Sequence, residues 1–173
     1  MQLQGKNWKI EKLSERDIPE LVSLFEKDAS IPQGLELSRK DMRDLEEYFD
    51  KVLDAVADGE RFYFMMRSTM CRRLMGGISF IQDENAGIWE RSFWMTADFR
   101  GKGYASQATS LVTEWMFGQG FASELREMTR HSNTPSIRLK EKQGFQMDGL
   151  RPGGENLFRI DILHPANFIP QHI

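Results

Sequence analysis

The sequence is poor in the residues that build disulfides and metal sites. It has one cysteine, Cys71, and three histidines among 173 residues. A single cysteine excludes an internal disulfide and fits a reducing compartment, so we expect a cytoplasmic location. Because His131, His164 and His172 lack metal-ligand spacing to one another or to Cys71, we expect no bound metal.

Long apolar runs, linkers and excess positive charge are also missing. No segment approaches the roughly 18 apolar residues of a membrane span, and residues 1–6 are too polar for a secretory signal. The formal net charge of −3 argues against a surface that binds nucleic acid. No repeat or Pro/Gly/Ser-rich linker divides the chain, so we expect one domain spanning 1–173 with no membrane partner.

Apolar periodicity predicts the element order β-α-α-β-β-β-α-β-α-β-β. Residues 28–37 are interpreted as a loop between the first two helices. The second helix follows a capping box at Ser38, and five apolar residues share one of its faces: Met42, Leu45, Phe49, Val52 and Val56. Only residues 88–131 form a strand–loop–helix–strand segment with a parallel pair. The predicted fold class is therefore α/β (α+β) with a mixed sheet.

Two glycines stand where the strand at 88–96 gives way to the helix at 106–117. A strand that turns through Gly101 and Gly103 into a helix directs backbone N–H groups and the positive end of a helix dipole at one point. Such a point suits a phosphate or pyrophosphate, and Arg100 and Lys102 add positive charge. Glycines also occur in ordinary strand-to-helix turns, so the turn alone does not decide the function.

A second motif lies about thirty residues further on. Arg100, Gly103 and Ala105 match the pattern R/Q-x-x-G-x-G/A. The patterns N-x-x-S and L-x-x-K-x-G-F are matched by Asn133, Ser136, Leu139, Lys142, Gly144 and Phe145. With Glu90 and an aromatic pair before the turn, the chain resembles the GNAT superfamily of acyl-CoA N-acyltransferases. Within it, the chain is most similar to the branch of the RimJ and RimL ribosomal-protein N-terminal acetyltransferases.

The resemblance implies a GNAT-like fold with a splayed central sheet and acetyl-CoA as co-substrate. It implies that the pyrophosphate is held by the backbone of Gly101, Lys102, Gly103, Tyr104, Ala105 and Ser106. The pantetheine arm would lie near Met95 and Thr96, and Asn133 would reach it from the other side. Residues 126–151 carry six Arg or Lys against three Asp or Glu, so Arg138 is a candidate for the 3′-phosphate. A solvated helix face explains the same charges equally well.

Three residues are candidates for proton transfer. Glu90 is the candidate base, acting through water, because partial burial would raise the pKa of its carboxyl. A salt bridge to Arg91 or to an arginine of another strand is the competing interpretation, and His131 is a weaker candidate base. The resemblance assigns Ser136 as proton donor to the leaving thiolate, since Lys140 occupies the position of the tyrosine that the family often uses. The alternative for Ser136 is a hydroxyl that caps the first turn of its helix.

The acceptor is a primary amine, and its identity stays open. A protein or peptide N-terminal α-amine has a pKa of about 7.7–8.0, against about 10.4 for lysine, and therefore suits a weak base better. A small amine is the other acceptor. A non-catalytic acyl-CoA-binding sensor or scaffold is the alternative function, and a homodimer is compatible with the sequence.

Overall fold

Strands and helices follow the predicted order, with short additions near the amino terminus. The computed structural model describes residues 3–171. Its strands are β1 (Leu3–Gln4), β2 (Trp8–Lys12), β3 (Arg61–Ser68), β4 (Leu74–Gln82), β5 (Ile88–Met95), β6 (Glu124–Arg130), β7 (Gln146–Gly153) and β8 (Asn156–Leu163). Its α-helices are α1 (Ile18–Lys27), α2 (Ser30–Gly34), α3 (Arg39–Arg43), α4 (Leu45–Ala57), α5 (Tyr104–Gly118) and α6 (Thr134–Lys142).

The sheet is mixed, as predicted. The strand order is β1-β2-β3-β4-β5-β6-β8-β7. Strands β5 and β6 pair in parallel, with Ile88 opposite Glu124 and Glu90 opposite Arg126. The pairs β1–β2, β2–β3, β6–β8 and β7–β8 are antiparallel. The predicted parallel segment at 88–131 and the predicted fold class are therefore confirmed.

Contacts between residues divide the described chain into two compact units. The first comprises residues 3–80 and Phe93–Ala105. Aromatic rings meet edge to face at its centre, where the Phe25 centroid lies 5.2 Å from those of both Phe49 and Trp94. The Trp94 indole N–H donates to the Tyr63 hydroxyl at 2.9 Å, which satisfies its buried polar group.

The two predicted features between α1 and β3 need correction. The single helix carrying Met42 and Val56 is divided at Asp44, whose φ of −140° and ψ of 80° are not helical. The Asp44 carboxylate accepts a hydrogen bond from the Glu47 N–H at 2.9 Å and so begins a new helix, α4. Met42 consequently lies outside the buried face and is 37% exposed.

The predicted loop at 28–37 is also wrong, because it contains helix α2. Ile31 on this helix is 1% exposed and joins the core of the first unit. Burial of this apolar side chain therefore anchors a segment interpreted from the sequence as a loop.

The second unit comprises Ile81–Ser92 and residues 106–171. Helix α5 buries Ala108, Val112 and Met116 along one face. Alternate residues of β6 are buried, and two of these, Glu127 and Thr129, are polar. Much of the interior of this unit is therefore polar. The expectation of one domain spanning 1–173 stays a prediction.

Within residues 3–171, no helix combines the length and the apolar character needed to cross a bilayer.

We expect the Phe49→Ala variant to lower the free energy of unfolding by about 3–5 kcal/mol, because it empties a fully buried aromatic site. Urea denaturation measures this change. Met42→Ala, on the neighbouring helix, is the control and should change the free energy by less than about 0.5 kcal/mol. Equal losses in the two variants would contradict the division of the helices at Asp44.

Candidate active site

The glycine turn has the backbone geometry that the sequence predicts. After β5, a 3₁₀ turn at Ala97–Phe99 leads to Arg100, and α5 begins at Tyr104. Gly101 and Gly103 have φ angles of 71° and 80°, a region where residues with a Cβ are strained. The first N–H groups of a helix have no intrahelical acceptor. Helix α5 therefore begins directly after Gly103, the second of the two left-handed residues.

The two cations of the turn contact backbone carbonyls of their own unit. The Arg100 Nε donates to the Met95 carbonyl at 2.9 Å, and its Nη2 donates to the Ser30 hydroxyl at 3.3 Å. The Lys102 Nζ donates to the Asp98 carbonyl at 2.7 Å. These contacts brace the turn, while both side chains stay exposed to solvent.

The predicted pantetheine residues are buried at the end of β5. The Thr96 N–H and hydroxyl both donate to the Met75 carbonyl, at 2.9 and 3.3 Å. The Met95 carbonyl accepts from Arg100. A carbonyl oxygen has two lone pairs, so Met95 keeps acceptor capacity, whereas the Thr96 donors are engaged. The roles of Met95 and Thr96 toward a cofactor stay predictions.

In the second unit, Glu90 lies at the last in-register pair of β5 and β6, opposite Arg126. The residue is exposed as a whole, yet local burial raises the pKa of its carboxyl, and repulsion from Glu127 and Asp83 raises it further. Attraction to Arg151 opposes this rise only in part. The direction of the pKa shift agrees with the expectation from sequence, and the catalytic role stays a prediction.

The competing salt bridge between Glu90 and Arg91 is not formed. The Arg91 Nε instead donates to the Glu127 carboxylate, and its Nη1 donates to the Thr113 hydroxyl at 2.7 Å. Alternation along β5 explains this, because successive side chains of a strand point to opposite faces. Glu90 therefore keeps a carboxylate that no described arginine neutralises by direct contact.

The amino-terminal end of α6 brings the other predicted residues of the second unit together. The Asn133 side-chain oxygen accepts from the Ser136 N–H at 3.3 Å and caps the helix. The capping role proposed for the Ser136 hydroxyl thus belongs to Asn133. Ser136 is half-buried, and within residues 3–171 its hydroxyl makes no hydrogen bond. His131 and Arg138 are exposed nearby along the chain.

Sequence reasoning missed four buried charged residues, here called the buried ionic cluster: Arg91, Glu127, Lys140 and Asp161. Lys140 and Asp161 are both 0% exposed and pair at 2.6 Å. Arg91 is 1% exposed and pairs with Glu127. The spacing of Ile137 and Lys140, three residues apart on α6, was the one available signal that Lys140 faces inward.

Gln143 was missed as well. It is 0% exposed, and its Nε2 donates to the Ser106 carbonyl and to the Thr109 hydroxyl, both at 2.9 Å. These bonds join the end of α6 to the first turn of α5, the turn that contains the candidate cofactor residue Ser106.

The raised pKa of Glu90 predicts an unusual pH dependence of stability. A carboxyl with a raised pKa in the folded state contributes stability only while protonated, and this contribution is lost as the pH rises through its folded pKa. Glu90→Gln should therefore be more stable than the wild type at pH 8 and equally stable at acid pH. Urea denaturation at both pH values measures the difference. The exposed Glu84→Gln variant is the control, and a destabilised Glu90→Gln at pH 8 would refute the shift.

Comparison with known proteins identifies the family. The model of a family described as acetyltransferase (GNAT) domain matches residues 9–146. No sequence of a curated protein matches the chain significantly.

Solved structures show the same fold at low identity. The ribosomal-protein-S5-alanine acetyltransferase from Vibrio fischeri has a TM-score of 0.82 at 13% identity, covering 98% of this chain and 100% of that chain. RimL, a ribosomal L7/L12 alpha-N-protein acetyltransferase in complex with coenzyme A, has a TM-score of 0.80 at 13% identity, with coverages of 92% and 95%. The spermidine N-acetyltransferase from Vibrio cholerae, in complex with CoA and spermine, has a TM-score of 0.78 at 15% identity, with coverages of 93% and 97%.

The motif resemblance drawn from the sequence is therefore confirmed at the level of family and fold. With most of its length matched by the family model, the chain belongs to the GNAT acetyltransferases, which use acetyl-CoA as acyl donor.

Proposed function

We propose that the protein is an acetyl-CoA-dependent N-acetyltransferase. It transfers the acetyl group to a primary amine, whose nitrogen attacks the thioester directly. The observation that carries the proposal is the glycine turn. Two left-handed positions separated by one residue, Gly101 and Gly103, lead directly into α5 in a member of the GNAT family. Such a turn directs main-chain donors and the positive end of a helix at an anion, and acetyl-CoA carries a pyrophosphate.

The remaining cofactor contacts follow the family pattern. In the first unit, the pyrophosphate would be held by the backbone of Gly101, Lys102, Gly103, Tyr104 and Ala105, with Arg100 beside it and the arm near Met95 and Thr96. In the second unit, Ser106 would continue the pyrophosphate site, Asn133 would bind the arm, and Arg138 would bind the 3′-phosphate. The exposed guanidinium of Arg138, without an ion pair within residues 3–171, supports its assignment.

The proposed chemistry needs one base and one acid. Glu90 takes a proton from the amine through water, and its raised pKa brings the carboxyl closer to the range useful for a base. The amine nitrogen bonds to the thioester carbon, and a backbone N–H near Met95, other than the engaged N–H of Thr96, stabilises the oxyanion. The carbon–sulfur bond then breaks, and the Ser136 hydroxyl donates a proton to the thiolate. The proton taken up by Glu90 returns to Ser136 through water, which restores both groups. His131 is the alternative base.

A protein N-terminal α-amine is the acceptor that we favour. A carboxylate is a weak base, and an α-amine, with a pKa of about 7.7–8.0, is substantially neutral near pH 8, unlike a lysine side chain. Two enzymes with this fold, one from Vibrio fischeri and the other RimL, are described as ribosomal-protein acetyltransferases. This description supports a protein N-terminus as the class of acceptor.

A small cationic amine is the second candidate acceptor. The exposed side of α4 carries Glu46, Glu47 and Asp50, and Glu26 and Glu46 line a surface pocket with Val22. An acidic surface attracts polyamines, and a spermidine N-acetyltransferase shares the fold.

A turnover screen tests the function and the acceptor together. Thiol release from acetyl-CoA is measured with peptides bearing free N-termini, with the same peptides blocked at the N-terminus, and with spermidine. We expect release with free peptides and none with blocked ones. Release with spermidine alone would establish the small-amine function. Coenzyme A binding without release for any amine would favour the non-catalytic sensor or scaffold.

Gly103→Asp tests the pyrophosphate assignment. Acetyl-CoA at about 100 times its Kd should raise the Tm of the wild type by about 5 °C or more. Gly103→Asp should abolish this rise, because its carboxylate would stand where the phosphate binds. Gly59→Asp is the matched control, since Gly59 has a φ of 77° with open space around it. Both variants carry backbone strain, and an undiminished rise in Gly103→Asp would refute the assignment.

A further inference from the structure

Helix α6 carries Ser136 but has few apolar anchors. Ile137 and Lys140 are its two buried residues. One apolar side chain fills space without fixing the helix along or around its axis, because hydrophobic contact is not directional. The placement of α6 therefore depends on directional polar contacts, those of Lys140 within the helix and those of Gln143 at its carboxyl end.

Lys140 joins α6 to two strands of the same unit. Its Nζ donates to Asp161 on β8 at 2.6 Å and to the Thr129 hydroxyl on β6 at 2.7 Å, and it lies 4.0 Å from the Glu127 carboxylate. Lys140 and Asp161 are fully buried. A buried ammonium that loses its partner is costly, so these bonds strongly favour one position of the helix.

Ser136 lies about one turn before Lys140 on the same side of α6, four residues or about 6 Å along the helix axis. Because its hydroxyl makes no hydrogen bond within residues 3–171, the position of the helix alone sets the Cα–Cβ bond of Ser136 and with it the staggered positions open to the oxygen. Any shift of α6 at Lys140 would thus be transmitted to the Ser136 oxygen.

We propose that the Lys140–Asp161 ion pair is a positioning device that fixes the Ser136 hydroxyl for proton donation. The proposal rests on the proposed role of Ser136. Lys140 itself is a positioning residue, because its ammonium is enclosed and its hydrogen bonds go to protein groups. A proton donor misplaced by about 1 Å can lose roughly 100-fold in rate. We expect a smaller effect on acetyl-CoA binding, because α6 with its N-terminal cap carries only Asn133 and Arg138 of the proposed cofactor contacts.

Lys140→Met is the direct test. It removes the ammonium and keeps most of the volume, and Asp161 retains its hydrogen bond from the Arg159 Nε at 2.9 Å. We expect kcat to fall at least about 10-fold while the KM for acetyl-CoA changes less than about threefold. Glu141→Gln is the matched control, because Glu141 forms an exposed ion pair from the same helix to Arg159 on the same strand. It should change kcat less than about twofold.

A double-mutant cycle separates positioning from general destabilisation. If Lys140 acts through Ser136, then adding Lys140→Met to Ser136→Ala should lower kcat by less than about twofold further. If Lys140→Met does not fold, Thr129→Val, which removes one hydrogen bond to the ammonium, replaces it in the same cycle. The expected result is then a few-fold loss of kcat that vanishes in the Ser136→Ala background.

The outcomes are distinguishable. Losses that multiply in the double variant, or an unchanged kcat in a folded single variant, overturn the positioning proposal and leave the acetyltransferase function standing. A wild-type kcat in Ser136→Ala overturns both the role of Ser136 and the proposal. Absence of any thiol release by the wild type overturns the proposed function with them.

Discussion

The buried ionic cluster is the constraint on which the second unit depends. Each ion costs several kcal/mol to remove from water, and this cost is offset only by well-aligned partners. Arg91 on β5 pairs with Glu127 on β6, and Lys140 on α6 pairs with Asp161 on β8. The two cations and two carboxylates balance in formal charge. Because these contacts are directional, they fix the register of the elements more sharply than apolar packing of the same area does.

The candidate catalytic residues are neighbours in sequence of the cluster. Glu90 directly precedes Arg91 and faces the opposite side of β5, while Ser136 lies one helical turn before Lys140. The cluster thus fixes the backbone that carries Glu90 and Ser136, while neither of these side chains takes part in its ion pairs. Repulsion from Glu127 also contributes to the raised pKa of Glu90, so one carboxylate serves both the fold and the electrostatics of the candidate base.

Local sterics made the glycine turn predictable, whereas the buried charges depend on tertiary contacts. Gly101 and Gly103 were identified because a strand, two left-handed positions and a helix leave a clear trace in sequence. In strand β6 residue type does not predict burial, since the charged Glu127 is buried and the apolar Met128 is 41% exposed. Asp44 ends α3, and its side chain caps α4. The continuous apolar spacing from Met42 to Val56 conceals this break in the sequence. Ile31 lies in the segment interpreted as a loop, and its burial depends on tertiary contacts with the core of the first unit.

The engagement of Arg100 and Lys102 determines how the glycine turn would recognise an anion. Both side chains donate to carbonyls of their own unit, and both are exposed, so exchanging these contacts for a phosphate gains little net free energy. The left-handed φ angles of the two glycines and the start of α5, in contrast, are properties of the backbone that no side-chain movement alters. In the proposed cofactor site, selectivity for a diphosphate over a simple anion would then depend on the number and direction of main-chain N–H groups, since the two cations would attract any anion alike.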